Sequence, residues 1–254
     1  MASKYQKLQN KHVLIIGGTS GIGFAVAEGS LASGARVTIS SSSQSRVDAA
    51  VEKLKAGFPN STSAGHVCDL SKPTVEADIE ALFAKVGAVD HIVYTAGDRL
   101  ATVSIPDITY EKILAAGQVR FVAPMLLAKV ASRYLSPGPS SSITLTTGAV
   151  SQKPMPDWSV VAAYAAGLHG LTRNLALDLK PVRVNLVSPG FVDTALWDSH
   201  DEKDREKILQ SVVEKVPTGR VAQPEDVAEA FLFLMKDANA TGTVVDSNSG
   251  SLLV

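Results

Sequence analysis

A glycine-rich turn near the start of the sequence has the residue types and spacing of an anion-binding site. Gly17, Gly21 and Gly23 lie between an apolar stretch at 12–16 and a helical pattern at 24–28. A turn between a strand and a helix directs backbone N–H groups and the positive end of the helix dipole at a pyrophosphate. An ordinary tight turn is the alternative. The residues that would contact the pyrophosphate are Gly17, Thr19, Ser20, Gly21, Ile22 and Gly23.

The segment 153–159 combines two prolines with a carboxylate and an indole ring. Asp157 can balance a positive charge, and the face of the Trp158 ring can stack on a flat molecule or make a cation–π contact. These two side chains therefore suit a cationic or aromatic substrate. The alternative is that Asp157 caps a helix that begins near residue 160 and that Trp158 only packs.

Apolar runs alternate with helical patterns along most of the sequence. Most of the apolar runs are β-branched and lack strict alternation, which is typical of a parallel sheet covered by helices on both faces. The pattern predicts an α/β fold: one doubly wound domain, residues 1–254, with a parallel seven-stranded sheet whose carboxyl edge binds ligands. The predicted strands are 13–16, 36–40, 64–68, 91–94, 142–146, 183–187 and 243–245, and the predicted helices include 46–56, 74–85, 110–134, 160–179 and 225–236.

The composition narrows the class of protein. A chain of 254 residues, 45% hydrophobic and 19% charged, fits a single globular domain. The net charge of −1 gives no basic field for nucleic acid or an anionic membrane. The one cysteine, Cys68, excludes an internal disulfide and a multi-cysteine metal site, and we expect it to be packed. The polar start lacks the core of a signal peptide and no apolar stretch approaches the ~20 residues of a membrane span, so we expect a cytoplasmic protein.

The glycine turn and the motifs that follow later strands together resemble the fingerprint of the short-chain dehydrogenase/reductase family. Tyr94 and Thr95 stand where the family has two asparagines, before an Ala-Gly pair that the family shares. The resemblance covers nearly the whole chain and implies a Rossmann-type fold that binds a nicotinamide dinucleotide. It implies that Asp69 and Leu70 lie beside the adenine, that Pro189, Gly190, Val192 and Thr194 lie near the nicotinamide carboxamide, and that Ala96 and Gly97 also contact the cofactor.

The end of the second predicted strand indicates which dinucleotide is bound. An acidic residue there would hydrogen-bond the ribose 2′-hydroxyl and repel a 2′-phosphate. Counted from Gly17, this position is Ser41, and no Asp or Glu occurs between residues 36 and 46. Ser41, Ser42 and Ser43 can donate hydrogen bonds to a phosphate, and Arg46 can neutralise it, although Arg46 is alternatively a solvated residue at a helix start. The sequence therefore predicts NADP(H).

The catalytic set that the family resemblance implies is missing. Typical members use an Asn, a Ser, a Tyr and a Lys, in which the Lys lowers the pKa of the Tyr from about 10 so that it can exchange a proton. The corresponding positions here are Arg120, Gly148, Val161 and Ala165. Tyr164 lacks a Lys four residues later and is expected to pack structurally. Thr147, beside the vacant Ser position, could still donate a hydrogen bond.

A site without an acid suits a substrate that needs no proton. A carbonyl reduced by hydride becomes an alkoxide, which must be protonated, whereas an iminium becomes a neutral amine. We therefore predict reduction of a cationic C=N bond, with Asp157, Arg120 and Trp158 as the catalytic residues. Asp157 would stabilise the cation. Arg120 would orient Asp157, hold a substrate carbonyl, or form a structural pair with Asp157, and Trp197 would close over the substrate.

A narrower resemblance rests on Arg120, on the lost Tyr/Lys pair and on Pro156-Asp157-Trp158. With these features the chain is similar to the atypical fungal short-chain reductases of bicyclo-diazaoctane indole alkaloid pathways. This resemblance implies NADPH reduction of a prenylated dipeptide-derived iminium, and a pocket that also guides an intramolecular Diels–Alder closure. Two alternatives remain: a carbonyl or hydroxyl oxidoreductase with another proton donor, and a non-catalytic dinucleotide-binding protein.

The long apolar helices predict an assembly. Family members bury the helices corresponding to 110–134 and 160–179 between subunits, which implies a homo-oligomer. The alternative is that these faces only cover the sheet. The expected assembly is a tetramer. The residues that mark these faces are Leu126, Leu127, Leu171 and Leu175.

Overall fold

One parallel sheet organises the chain in the computed structural model, which describes residues 4–197 and 202–254. The side chains of Trp197 and of residues 202–204 lie outside the described part, and so does the prediction for Trp197. The strand order is β3-β2-β1-β4-β5-β6-β7, and every pairing is parallel, which confirms the predicted fold class. The strands are β1 (His12–Ile16), β2 (Arg36–Ser41), β3 (Ser63–Val67), β4 (His91–Tyr94), β5 (Ser142–Thr146), β6 (Arg183–Pro189) and β7 (Val244–Ser247).

Helices connect the strands on both faces of the sheet. The helix predicted at 110–134 is divided, because a π-helical segment at Gln118–Val122, here called the π-turn, separates α4 from α5. The charged helix α7 was not predicted, since its sequence lacks a strong apolar pattern. The helices are α1 (Gly21–Ala32), α2 (Gln44–Gly57), α3 (Val75–Val86), α4 (Tyr110–Gly117), α5 (Ala123–Ala131), α6 (Ser159–Asp178), α7 (Glu202–Lys215) and α8 (Pro224–Lys236).

Alternate side chains of the strands pack into two hydrophobic clusters, one on each face of the sheet. Val13 and Ile15 of β1 belong to the cluster that α1 and α8 cover. Leu14 and Ile16 belong to the cluster that α3, α5 and α6 cover. Burial of both faces explains why the strand sequences are continuously apolar, and it holds the strand ends in fixed positions.

The stretch Tyr110–Ala131 is long and apolar enough to cross a membrane by length and composition alone. This finding contradicts the expectation that no apolar stretch approaches such a length. However, Ala123, Leu127 and Val130 on its inner face are almost completely buried in the second cluster. The stretch therefore contributes to the core of the domain.

Two buried histidines lie at the amino edge of the sheet, opposite the predicted ligand edge. His12 hydrogen-bonds Thr38 at 2.9 Å, and His91 hydrogen-bonds Ser142 at 2.9 Å. Burial lowers the pKa of His91 to about 3, and the positive charge of Arg183 adds to this shift. Both imidazoles are therefore neutral parts of the core at neutral pH.

Candidate active site

The glycine turn lies at the carboxyl end of β1. In the sheet, β2 and β3 lie on one side of this strand and β4 to β7 on the other, so the strand order reverses here. Gly17 has a φ of +91° and a Cβ there would lie 2.5 Å from the Ala96 nitrogen. A Cβ on Gly23 would lie 2.3 Å from the Gly17 carbonyl oxygen. Side chains are thus excluded from both positions, and the backbone of the turn sits against the end of β4. This is the switch point at which doubly wound sheets bind ligands.

The start of α1 has the donors that a pyrophosphate requires. Ser20 is the N-cap residue, but its side chain does not accept a hydrogen bond from the first turn. The Phe24 N–H is satisfied by the Ser20 carbonyl, which leaves the preceding N–H groups for an external acceptor. A Cβ on Gly21 would lie 3.1 Å from Thr194 Cγ2, so the loop after β6 adjoins the same helix end. The turn therefore fits a dinucleotide phosphate.

Three consecutive serines, Ser41 to Ser43, lie at the end of β2, where the ribose is expected. Ser41 is the last residue of β2, and its carbonyl accepts a hydrogen bond from Cys68 N, which ties it to the end of β3. Arg46 is exposed and donates to the Ser42 hydroxyl at 2.9 Å. Ser43 is the N-cap residue of α2. A phosphate beside Ser41 would thus meet hydroxyl groups, a guanidinium and a helix N-terminus.

The residues predicted to lie beside the adenine follow β3. The Ser71 hydroxyl donates to Asp69 Oδ1 at 2.7 Å and lowers the pKa of this carboxyl below its usual value. Leu70 is 5% exposed, and its carbonyl accepts a hydrogen bond from the Gln118 amide at 3.1 Å. The segment predicted to lie beside the adenine is therefore connected to the π-turn by the hydrogen bond between Gln118 and Leu70.

Cys68, which precedes this pair, is buried. Burial raises the pKa of its thiol to about 11, so it carries no reactive thiolate at neutral pH. The expectation that Cys68 is packed is confirmed.

The end of β4 brings the cofactor turn and the vacated catalytic position together. Thr95 donates through its hydroxyl to the backbone of the glycine turn, at 3.2 Å from the Ile16 oxygen. Gly97 faces the guanidinium of Arg120, since a Cβ there would lie 2.7 Å from Arg120 Cζ. Arg120 thus lies over the Ala96-Gly97 segment, next to where the resemblance places the cofactor.

Arg120 pairs with Asp98, so the predicted alternative of a structural pair with Asp157 is wrong. Its Nε donates to Asp98 Oδ1 at 3.1 Å, and its Nη2 donates to the Asp98 carbonyl. Burial lowers the pKa of the guanidinium, but the adjacent Asp98 carboxylate opposes this change, so Arg120 remains charged. No sequence pattern marks Asp98 as a functional residue, although it directly follows the Ala96-Gly97 pair.

Asp157 is exposed, and it does not cap α6. The N-cap residue is Trp158, which is partly buried, and no side chain accepts a capping hydrogen bond there. Asp157 has a φ of +64°, and its carbonyl accepts a hydrogen bond from Val103 N at 2.9 Å. The backbone of Asp157 is thus fixed to the loop after β4, while among the described residues no hydrogen bond or ion pair occupies its carboxylate.

The three other vacated positions contain no acid. A Cβ on Gly148 would have only the Pro189 carbonyl near it, at 3.9 Å, so the space of a serine side chain is open. Val161 is 8% exposed. The Thr147 hydroxyl donates to the Ala165 carbonyl at 2.8 Å, so this neighbouring hydroxyl is already used.

Tyr164 packs away from this space. Its hydroxyl donates to the Ile113 carbonyl at 3.0 Å, and its ring lies 5.2 Å from that of Phe121. A Cβ on Gly117 would lie 2.5 Å from Tyr164 Cζ, which shows how closely the ring contacts α4. The expectation of structural packing for Tyr164 is confirmed.

The loop after β6 completes the site. Gly190 lies against the backbone of Asn248, to which a Cβ would come within 2.8 Å. Val192 is 4% exposed and forms a bridge with Ala222, which fixes the loop that begins at Pro189. Among the residues that the structure describes, no group of three or more His, Cys, Asp or Glu side chains could hold a metal ion.

A dinucleotide turn at the switch point of a parallel sheet, with these motifs in this order, defines a short-chain dehydrogenase/reductase. The chain matches the SDR-like Rossmann domain over residues 4–254, and it belongs to that family. It is 42% identical over 255 residues to the short-chain dehydrogenase/reductase fsr5 of Gibberella fujikuroi, covering 97% of this chain and 96% of the relative.

Two solved structures extend the comparison. The MalC reductase/Diels–Alderase from Malbranchea aurantiaca is 40% identical, with a TM-score of 0.94 and coverage of 99% of this chain and all of that one. An NADPH-bound short-chain oxidoreductase from Pseudomonas aeruginosa PAO1, described as having an atypical catalytic center, is 26% identical, with a TM-score of 0.86 and coverage of 94% and 96%. The narrower resemblance expected from the sequence is confirmed.

Proposed function

We propose that this protein reduces a cationic C=N bond with hydride from NADPH. The predicted oxidoreductase class and its NADP(H) cofactor are confirmed by the family match and by NADPH-bound relatives. The bond that is reduced, the substrate class and the residue roles are our proposal. The observation that carries it is that Gly148, Val161 and Ala165 occupy the acid positions. The exposed Asp157 carboxylate, which has no partner among the described residues, is the group that we propose stabilises the cation.

We infer the cofactor contacts from the geometry of the strand ends. The turn from Gly17 to Gly23 would hold the pyrophosphate, Ser41 and Arg46 the 2′-phosphate, and Asp69 with Leu70 the adenine. NADPH, when bound, supplies the hydride. The full set is Gly17, Thr19, Ser20, Gly21, Ile22, Gly23, Ser41, Ser42, Ser43, Arg46, Asp69, Leu70, Ala96, Gly97, Pro189, Gly190, Val192 and Thr194.

The charges around the substrate space favour a monocation. Arg120 and Asp98 neutralise each other through their ion pair. Asp157 has no such partner among the described residues, so its carboxylate contributes one negative charge that no ion pair neutralises. The attraction between a carboxylate and a cation increases as the distance between them decreases. The Trp158 indole can add a cation–π contact. Arg120 retains donors that can hold an amide carbonyl of the substrate.

The hydroxyl groups near the vacated positions argue against a carbonyl substrate. Reduction of a carbonyl needs a proton at the developing alkoxide, and Thr147 and Tyr164 both donate to backbone carbonyls instead. Among the described residues, neither hydroxyl is hydrogen-bonded to a lysine. An iminium accepts hydride without a proton, so the site needs no replacement for them.

The same pocket can serve a cyclisation. The open space beside Gly148, where a serine side chain would fit, enlarges the room for a bulky substrate. A Diels–Alder closure needs the diene and dienophile held in one orientation, and it needs no acid or base. The MalC relative, which is described as a reductase/Diels–Alderase, supports this extension. We propose a prenylated indole alkaloid precursor as the substrate on the basis of the narrower resemblance.

The assembly is proposed separately. Leu127 is 1% exposed and belongs to the core, whereas Leu126, Leu171 and Leu175 pack against the core but are only partly buried. Other apolar side chains on α4 and α5 are exposed, including Leu114 at 51% and Met125 at 37%. We propose that this face is buried in a homotetramer of a cytoplasmic protein.

A substrate pair tests the proposed reaction. A cyclic iminium and the ketone with the same skeleton are each offered with NADPH, and consumption of NADPH is measured. We expect turnover of the iminium and at most a trace rate with the ketone. A ketone rate equal to the iminium rate would establish the carbonyl alternative, and no turnover of any iminium while NADPH binds would favour the non-catalytic one.

A further inference from the structure

The π-turn gives the Val119 carbonyl an unusual position in the backbone. In an α-helix this oxygen would accept from the N–H four residues later, which belongs to Ala123. The Ala123 N–H instead donates to the Gln118 carbonyl, as a π-helix requires. The residue five positions after Val119 is Pro124, which has no N–H to donate. Neither helical pattern therefore provides a backbone donor for Val119.

A buried tyrosine supplies the missing donor. The Tyr94 hydroxyl donates to the Val119 carbonyl at 2.5 Å. Tyr94 is the last residue of β4 and is 2% exposed, and Thr146 donates through its hydroxyl to the Tyr94 carbonyl. Burial raises the pKa of this phenol well above its usual value, so it stays protonated. The bond thus joins the sheet to the π-helical segment.

We propose that Tyr94 is a positioning residue, whose hydroxyl holds the π-turn in the shape that directs Arg120 onto Asp98. Arg120 follows Val119 directly, so the direction of its side chain depends on the local helix geometry. The Gln118 amide, which donates to the Leu70 carbonyl, anchors the residue directly before Val119. The catalytic meaning of this placement rests on the proposed function, in which Arg120 contacts substrate.

Chemical labelling of Arg120 tests the placement without any substrate. The full chain is treated with phenylglyoxal, and the labelling rates of Arg120 and of the exposed Arg220 are compared by peptide mass spectrometry. In Tyr94→Phe the ring remains but the Val119 carbonyl loses its partner, and a buried acceptor without a partner favours local opening. We expect Arg120 to label at least about threefold faster relative to Arg220.

The rescue variant follows from the missing donor. Pro124→Ala restores an N–H at the position that a π-helix uses for the Val119 carbonyl. In Tyr94→Phe/Pro124→Ala we expect the Arg120 labelling rate to return toward that of the parent. The control is Tyr134→Phe, because Tyr134 packs on the same cluster through its contact with Phe83 and should leave Arg120 labelling unchanged.

Two results would overturn the proposal. Unchanged Arg120 labelling in Tyr94→Phe would show that the hydroxyl does not hold the turn. Fast Arg120 labelling in the double variant, or its failure to fold, would show that a donor to the Val119 carbonyl does not hold the turn. If Tyr94→Phe alone fails to fold, the double variant decides. The labelling experiment tests only the placement of Arg120. A failure of the proposed iminium reaction is detected separately, by the comparison of iminium and ketone substrates.

Discussion

Replacing Asp157 by Asn removes the charge that we assign to cation stabilisation and changes little else. Asp157 has a φ of +64°, a conformation that Asn tolerates as well as Asp, whereas Ala would add backbone strain. Its carbonyl bond to Val103 N is a backbone contact that the substitution preserves. A lost rate can therefore be attributed to the carboxylate.

The size of the effect follows from Coulomb's law. At a separation of about 5 Å, two unit charges attract by about 0.8 kcal/mol in water and about 3 kcal/mol near a protein surface. Asp157 is exposed, so a value of about 1.4 kcal/mol between these limits is appropriate, which corresponds to about tenfold in rate.

The assay compares steady-state iminium reduction by the parent and the variant at saturating NADPH. We expect kcat/KM to fall about tenfold in Asp157→Asn, with the NADPH affinity unchanged. The control is Asp107→Asn, which removes a carboxylate that binds Ser104 on the exposed turn Ile105–Asp107. If Asp157→Asn reduces the iminium with the same kcat/KM as the parent, the role assigned to this carboxylate is refuted.

Three further predictions concern the cofactor, the core and the assembly. Ser41→Asp places a negative charge beside the 2′-phosphate and should weaken NADPH binding about tenfold or more by calorimetry, with NADH affected less; equal NADPH affinity would show that the phosphate lies elsewhere. Because the folded-state pKa of His91 is about 3, below its unfolded value, the unfolded chain binds the extra proton and stability is lost as pH falls from about 6.5 toward 3. Urea unfolding measures how much unfolding free energy the parent and His91→Gln each lose between about pH 6.5 and 5. We expect this loss to be smaller in His91→Gln by up to about 2 kcal/mol. An equal loss in both proteins would mean that His91 is not the group responsible. Leu114→Glu should lower the mass found by light scattering below that of a tetramer, whereas a monomeric parent would contradict the proposed assembly.

The strands and the cofactor turn were predictable because their signals are local. β-branched runs mark β1, β4, β5 and β6, and the glycine spacing requires only a turn that excludes side chains. The end strand β7 begins one residue later than predicted and continues to Ser247, since periodicity locates element ends poorly.

The partner of Arg120 was not predictable from pattern. Asp98 is 22 residues away in sequence, and the contact exists because β4 ends beside the π-turn. The π-turn is also bonded to Tyr94 across the fold, a contact that hydrophobic periodicity does not encode. Hydrophobic periodicity also does not separate Leu127, which is almost completely buried in the core, from Met125 on the same helix, which is 37% exposed.

Hydride transfer to a permanently charged iminium tests most directly whether the site works without a proton donor. An N-alkylated iminium is mixed with the NADPH-loaded protein in a stopped-flow instrument, and the loss of nicotinamide absorbance is followed as pH is varied. We predict a single-turnover rate that is constant between about pH 6.5 and 9 and unchanged in deuterium oxide, because no proton moves in the step. A rate that follows the titration of an acid, or that slows in deuterium oxide, would contradict the account.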